Sequence, residues 1–308
     1  MSSASLNVKA INKPKNPFAP RADQKIWLDG EIVPLAEAKI SVFDHGLLYG
    51  DGVFEGIRIY SGKIFKEREH LARLYESAKA IRLAIPRTSE QLSDAMRQAM
   101  QANGIDGDGY IRLVVTRGVG LLGIAIAHTA CPSVFVIADK IALYPPEVYE
   151  RGLHCLVSSI ARNHSNTTSP RVKSLNYLNN ILAKAEARLA GGDEAIMLTT
   201  TGLVSECSGD NLFLIRHGIL MTPPSSAGIL EGITRSVVME LAGRRGIEVR
   251  EQSLIRDDLY LAEECFATGT AAEIAPITMI DHRPVGDGTP GPITKQLTQD
   301  FVQYRTKG

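Results

Sequence analysis

Apolar positions recur along this chain with two spacings, and the alternation between them predicts an α/β protein. Lys25–Val33 reads as a hairpin turning at Asp29-Gly30, and Val53–Tyr60 as a strand that Ser61-Gly62 turns back into Lys63–Phe65. From about Glu67 to Leu83 the period becomes helical, with Leu71, Leu74, Ala78 and Ile81 on one face. A second helix starts at Thr88 and Ser89, where Thr88 and Gln91 form a capping box. Leu92, Met96 and Met100 make its stripe and Gly104 ends it. Strands follow at Tyr110–Thr116 and Ser133–Ala138.

The pattern breaks near Leu143–Arg151, where Pro145-Pro146 and polar residues predict a linker. Beyond it come a strand at Leu153–Ile160, a polar loop at Arg162–Pro170 and a helix at about Asn176–Leu189. Strands at Glu194–Thr199 and Asn211–Ile215 precede a helix at Ile233–Arg245. Further strands are expected near Ile247–Glu251, Cys265–Thr268 and Ile277–Asp281, and a last helix at Ile293–Tyr304. The expected organisation is an arm at 1–24, a smaller N-terminal α/β domain at 25–142, a linker at 143–151 and a larger C-terminal domain at 152–308. A crevice between two such domains is the default place for a small ligand.

Composition narrows the function classes. Lys+Arg and Asp+Glu both number 34, so the net charge gives no support to nucleic-acid or anionic-membrane binding. No apolar run has the length of a membrane span. Cys131, Cys155, Cys207 and Cys265 lack CxxC spacing. They are expected as reduced, mostly buried thiols of a cytoplasmic protein, and no metal site is expected. Met1–Gln24 has no apolar core and reads as a surface-draped arm rather than a secretory signal.

Chemistry enters through a few charged and small residues. Most lysines are solvated, but Lys173, in RVKSLNYLNN, sits just before a helix with few charges nearby. An amine attacks an aldehyde only when uncharged, and partial burial favours that form. Glu206 lies in GLVSECSGDNLF, which reads as a turn-rich connection. Alone it is a loop carboxylate; beside a pyridine cofactor it would keep the ring nitrogen protonated. Leu230-Glu231-Gly232-Ile233-Thr234 runs straight into a helix whose first turn holds Arg235 and no acid, so its free amides suit an anion. Thr270, in ATGTAAEI, and Arg73, in HLARL, are further donors for a phosphate. The glycines of YGDGVFEG precede a strand instead of opening a helix, which argues against a dinucleotide fingerprint.

The ordered motifs YGDGVFEGIR, EHLARL, YIRLVVTRG, KSLNYLNN, SECSGDNLF, LEGITR and GTAAEI resemble those of fold-type-IV pyridoxal-5′-phosphate (PLP) enzymes, and within them the branched-chain amino-acid aminotransferases, from about Lys25 to the C-terminus. The resemblance implies that Lys173 is the Schiff-base lysine and proton shuttle, and that Glu206 is the acid at the pyridine nitrogen. It implies a phosphate cup of Arg73, Thr234, Thr270 and the backbone of Gly232, Ile233 and Thr234, with Tyr177 near the phenolic oxygen and Leu230 on the ring. Phe54, Tyr49 and Tyr110 look like pocket walls, Thr270 and Ala271 match the amides for the substrate's α-carboxylate, and Arg112 matches the residue that meets the glutamate side chain. Leu122 and Ile124 match residues contributed by a partner subunit, which implies a homodimer. The implied reaction is ping-pong transamination between branched-chain L-amino acids and 2-oxoglutarate. Three features depart from the family: the N-terminal arm, the apolar stretch Gly118–Ala130 and Cys207 where glycine is usual. Competing readings are a D-amino-acid aminotransferase, which the Tyr110/Arg112 pair disfavours, an aminodeoxychorismate lyase and a non-enzymatic scaffold.

Overall fold

The computed structural model describes residues 20–140 and 144–307. Residues 1–19 of the expected arm and Leu143 of the expected linker lie outside the described residues. In chain order the first part comprises β1 (Lys25–Leu28), β2 (Glu31–Pro34), α1 (His45–Tyr49), β3 (Gly52–Tyr60), β4 (Lys63–Ile64), α2 (Glu67–Ala80), α3 (Ser89–Ala102), β5 (Gly109–Thr116) and β6 (Ser133–Asp139). Then follow α4 (Pro146–Arg151), β7 (Leu153–Val157), α5 (Leu178–Leu189), β8 (Glu194–Leu198), β9 (Val204–Cys207), β10 (Asn211–Arg216) and β11 (Ile219–Thr222). The chain closes with α6 (Ile233–Arg244), β12 (Val249–Glu251), α7 (Arg256–Tyr260), β13 (Glu264–Gly269), β14 (Glu273–Ile280), β15 (Arg283–Pro284) and α8 (Pro292–Lys307).

The first sheet is antiparallel in the order β2-β1-β6-β5-β3-β4. The two-residue side-chain period sorts its faces. Val53, Ile57, Ile111, Leu113 and Val136 point toward α2 and α3 and form one core with Leu74, Leu92 and Met96. Phe54, Gly56, Tyr110 and Arg112 alternate with them and so share the opposite face. The Thr88–Gln91 capping box is present at the start of α3, which satisfies amides that would otherwise lack partners.

The second sheet is mixed, in the order β12-β11-β10-β13-β14-β7-β8-β9, with β15 on β14. Its β14-β7 and β7-β8 pairs are parallel. One core gathers Leu153, Ile196, Leu212 and Ile277; another sets Phe213 and Phe266 against α6 and α8. Two of the elements that differ from the pattern read above bear on the site. Pro146–Arg151 is a short helix, because prolines at its start are compatible with the first turn, and Tyr144 just before it is buried with its hydroxyl donating to Glu194 at 3.2 Å. Val204–Cys207 is a strand rather than part of a turn-rich connection; all four residues are buried, so no alternation marks them. Among the described residues no helix is long and apolar enough to cross a membrane. Cys155, Cys207 and Cys265 are buried free thiols, and Cys131 is an exposed one.

Candidate active site

The segment carrying Lys173 is docked along the start of β3. The Lys173 carbonyl accepts the Phe54 N–H at 3.0 Å, Leu175 N–H donates to Gly52 O at 3.0 Å, and the Asn176 amide donates to Gly50 O at 2.9 Å. Lys173 N–H in turn donates to Ser77 Oγ on α2 at 3.1 Å. A strand, a helix and a loop thus hold the backbone from which the side chain projects. Its Nζ lies 3.4 Å from Tyr177 Oη and 4.7 Å from the centre of the Phe54 ring.

Two adjoining cavities meet at Lys173, Tyr177, Asp210 and Thr270. The narrower, about 460 Å³, collects Arg73, Glu206, Leu230, Gly232, Ile233 and Thr234. Glu206 is 4% exposed and faces only donors. Oε1 accepts Arg162 Nη2 at 2.5 Å; Oε2 accepts the Asn211 amide at 2.8 Å and Leu230 N–H at 3.1 Å. Burial pushes the carboxyl above its ordinary range, against the opposing pull of Arg162. A carboxylate made more basic in this way grips a proton on a neighbouring ring nitrogen more tightly.

In the same cavity, Gly232 begins α6 without any side-chain cap, and no acid occupies the first turn. A Cβ at Gly232 would stand 2.0 Å from Asn211 Oδ1, so only glycine lets the chain pass there. Thr234 is buried beside the free amides, while Arg235 turns away to Glu251 at 2.7 Å and leaves the anion site to others. Thr268 Oγ1, also lining the cavity, is buried with no hydrogen-bond partner. An orphaned hydroxyl, uncapped amides and a buried carboxylate around one cavity fit a ligand that carries both a phosphate and a ring nitrogen.

The wider cavity, about 980 Å³, is walled by Phe54, Tyr110 and Arg112, with Ala271 and Ile181. The Arg112 guanidinium carbon lies 3.7 Å from the centre of the Phe54 ring. Gly56 makes room for Tyr110, whose hydroxyl would stand 1.9 Å from a Cβ there. Three residues expected at the site do not line either cavity. Tyr49 is carried away by α1: it is 39% exposed, its hydroxyl accepts Gly123 N–H at 2.8 Å, and its ring packs edge-on to His45. Leu122 and Ile124 are 71% and 86% exposed.

Arg162, Asn180, Asn211 and Asp210 belong to the site and were missed in the sequence. Arg162 looks like the first residue of a polar loop, and no local signal ties it to an acid 44 positions on. Asp210 is buried between the cavities, and burial, helped by the Glu194 charge, pushes its carboxyl up to about 7 from 3.8. The folded chain therefore holds this proton up to about pH 7, whereas the unfolded chain releases it near 3.8. Stability contributed this way is present below the lower value and is lost as pH rises through the upper one. Asp210→Asn is expected to stabilise the cofactor-free protein at about pH 8 and to show little of that advantage at about pH 4. Melting temperatures across this range check it, and an advantage independent of pH would mean that it does not arise from ionisation of the Asp210 carboxyl.

The class IV aminotransferase model matches residues 52–280. The chain belongs to the class IV aminotransferases. It is 49% identical to a putative branched-chain-amino-acid aminotransferase of Methanocaldococcus jannaschii over 283 residues, 92% of this chain and 97% of that one. It is 41% identical to the branched-chain-amino-acid aminotransferase of Escherichia coli K12 over 287 residues, 90% of this chain and 91% of that one. The solved branched-chain amino acid aminotransferase of Thermobaculum terrenum in its PLP form superposes with a TM-score of 0.82 at 34% identity, covering 92% of this chain and 94% of that one.

Proposed function

We propose that this chain transfers the amino group between branched-chain L-amino acids and 2-oxoglutarate in two half-reactions, with pyridoxal 5′-phosphate as cofactor. One observation carries the reading: a guanidinium stacked on an apolar wall, facing the cavity that Lys173 enters. Leucine, isoleucine and valine need the wall; glutamate needs the charge.

When bound, pyridoxal 5′-phosphate supplies an electron sink for charge developing at the substrate's α-carbon. Thr234, Thr270, Arg73 and the first amides of α6 would hold its phosphate, Glu206 its ring nitrogen and Lys173 its aldehyde carbon. Leu230 would pack on the ring and Tyr177 would stand by its phenolic oxygen. Lys173 Nζ, once free, would take the proton from the substrate's α-carbon and deliver it to the cofactor's aldehyde carbon, on the other side of the nitrogen. Tyr177 keeps that amine within reach at 3.4 Å. The turn at Thr270-Ala271 orients the α-carboxylate, and Phe54 with Tyr110 excludes water from the side chain. In the homodimer of this reading, Leu122, Ile124 and Tyr49 reach the partner's cavity, which accounts for their absence from the cavities of their own chain.

Lys184 also faces the wider cavity, but it is paired with buried Glu194. That leaves Arg112 as the guanidinium for an incoming side-chain carboxylate. Arg112→Ala is expected to weaken the glutamate half-reaction by about 1.5–3 kcal/mol, the scale of a hydrogen bond to a charged group. The leucine half-reaction should change much less. Following cofactor absorbance in single half-reactions with L- and D-amino acids measures both. Equal losses for leucine and glutamate would assign Arg112 to the α-carboxylate, and amination of the cofactor by D-amino acids alone would favour the D-specific reading.

A further inference from the structure

Behind the guanidinium of Arg73 lies a buried acid that the mechanism above leaves without a task. Glu55 sits on β3, fully buried, on the apolar face that Val53 and Ile57 share. A lone carboxylate there would be costly to desolvate. It is met from α2 by two residues one turn apart. His70 Nδ1 lies 2.7 Å from Oε2, and Arg73 Nε and Nη2 donate to Oε1 and Oε2, each at 2.8 Å. Despite full burial, Arg73 and His70 hold the Glu55 carboxyl down to about 2.

The rest of the guanidinium is also directed. Arg73 Nη1 donates to the carbonyl of Glu231 at 2.8 Å, one residue before Gly232 opens α6. Three of the five guanidinium N–H groups are thereby engaged, which leaves two for the cavity that Arg73 lines with Thr234 and Lys173. His70 completes the arrangement from behind. Glu55 is ionised, so Nδ1 is the donor between them. Burial pushes the imidazole toward its neutral form, and its Nε2 has no partner. A neutral histidine fixes the carboxylate without cancelling the charge that Arg73 needs.

We propose that Glu55 and His70 are positioning residues for the cofactor's phosphate: Glu55 clamps one edge of Arg73 so that its two remaining N–H donors face the anion beside α6, and His70 fixes Glu55. The proposal rests on the reading that Arg73 contacts that phosphate. It differs from a purely structural tie between α2 and β3 because its effect must pass through Arg73 and must require a phosphate.

Equilibrium dialysis with two probes, pyridoxal 5′-phosphate and pyridoxal, separates these. Glu55→Gln is expected to weaken pyridoxal 5′-phosphate roughly 10- to 100-fold, the scale of lost charge-assisted hydrogen bonding, while leaving pyridoxal unchanged. Arg73→Ala should weaken the phosphorylated probe at least as much, and adding Glu55→Gln to it should cost nothing further. His70→Leu should reproduce part of the Glu55→Gln loss, and His70→Asn, which keeps a donor, should restore affinity. In the ³¹P spectrum the bound phosphate resonance should move in both Glu55→Gln and His70→Leu. Equal weakening of both probes, or an additive loss in the double variant, would overturn the proposal. An Arg73→Ala protein with unchanged affinity would instead remove the reading beneath it. Should Glu55→Gln fail to fold, His70→Leu and His70→Asn carry the same two-probe comparison.

Discussion

Replacing Lys173 by alanine is expected to abolish covalent retention of pyridoxal 5′-phosphate and to slow transamination by at least about 10²–10⁴-fold, the range for losing a positioned general acid–base group. The cofactor should still bind through its phosphate and ring contacts, because Glu206, Thr234 and Arg73 lie elsewhere in the narrower cavity. Borohydride reduction followed by peptide mass spectrometry measures the attachment directly. The informative competitor is Lys184, which also faces the wider cavity. Its ammonium is tied to Glu194, which is 2% exposed, and to Tyr144 Oη at 3.5 Å. An amine already engaged by a buried carboxylate and a hydroxyl is not free to attack an aldehyde. A reduced adduct on Lys184 in the parent protein would displace Lys173 from its role.

The second large effect concerns Glu206. Every group it touches is a donor: Arg162, the Asn211 amide and Leu230 N–H. In Glu206→Gln the new NH₂ group must face one of these donors, and Arg162, 8% exposed, loses its counter-charge. Removing one member of a buried ion pair costs about 3–5 kcal/mol. The substitution should therefore lower stability by that order as well as slow proton abstraction, since a ring nitrogen without an anionic partner is a weaker electron sink. Thermal unfolding and single-turnover absorbance separate the two losses. A second change, Arg162→Met, should recover much of the stability without recovering the rate. Recovery of both together would mean that Glu206 serves only the fold.

The same pair shows where local pattern stops being informative. Arg162 and Glu206 each look ordinary in their own segments, one at the head of a polar loop and the other among small turn-forming residues. Glu206 lies on a four-residue strand whose positions are all buried, so neither alternation nor length announces it. The five-residue helices at His45–Tyr49 and Arg256–Tyr260 escape for a similar reason, being too short to display a helical period. Motif position puts Tyr49 in a pocket, and within its own chain α1 directs it away from both cavities, to Gly123.

What the sequence determined by itself was the set of elements whose signals are local. The Thr88–Gln91 capping box starts α3, the apolar stripes of α2 and α3 select their buried faces, and the two-residue period puts Tyr110 and Arg112 on one side of β5. These follow from interactions within a turn or a strand, which neighbouring residues specify without reference to the rest of the chain. The tertiary structure alone decided the partners of the buried charges. Arg73 finds Glu55 18 positions away and the Glu231 carbonyl 158 away, and Lys173 is aimed by Ser77, 96 positions back. A buried charge must be matched by whatever donors or acceptors the packed layers bring to it, and that pairing exists only once both sheets and their helices are in place.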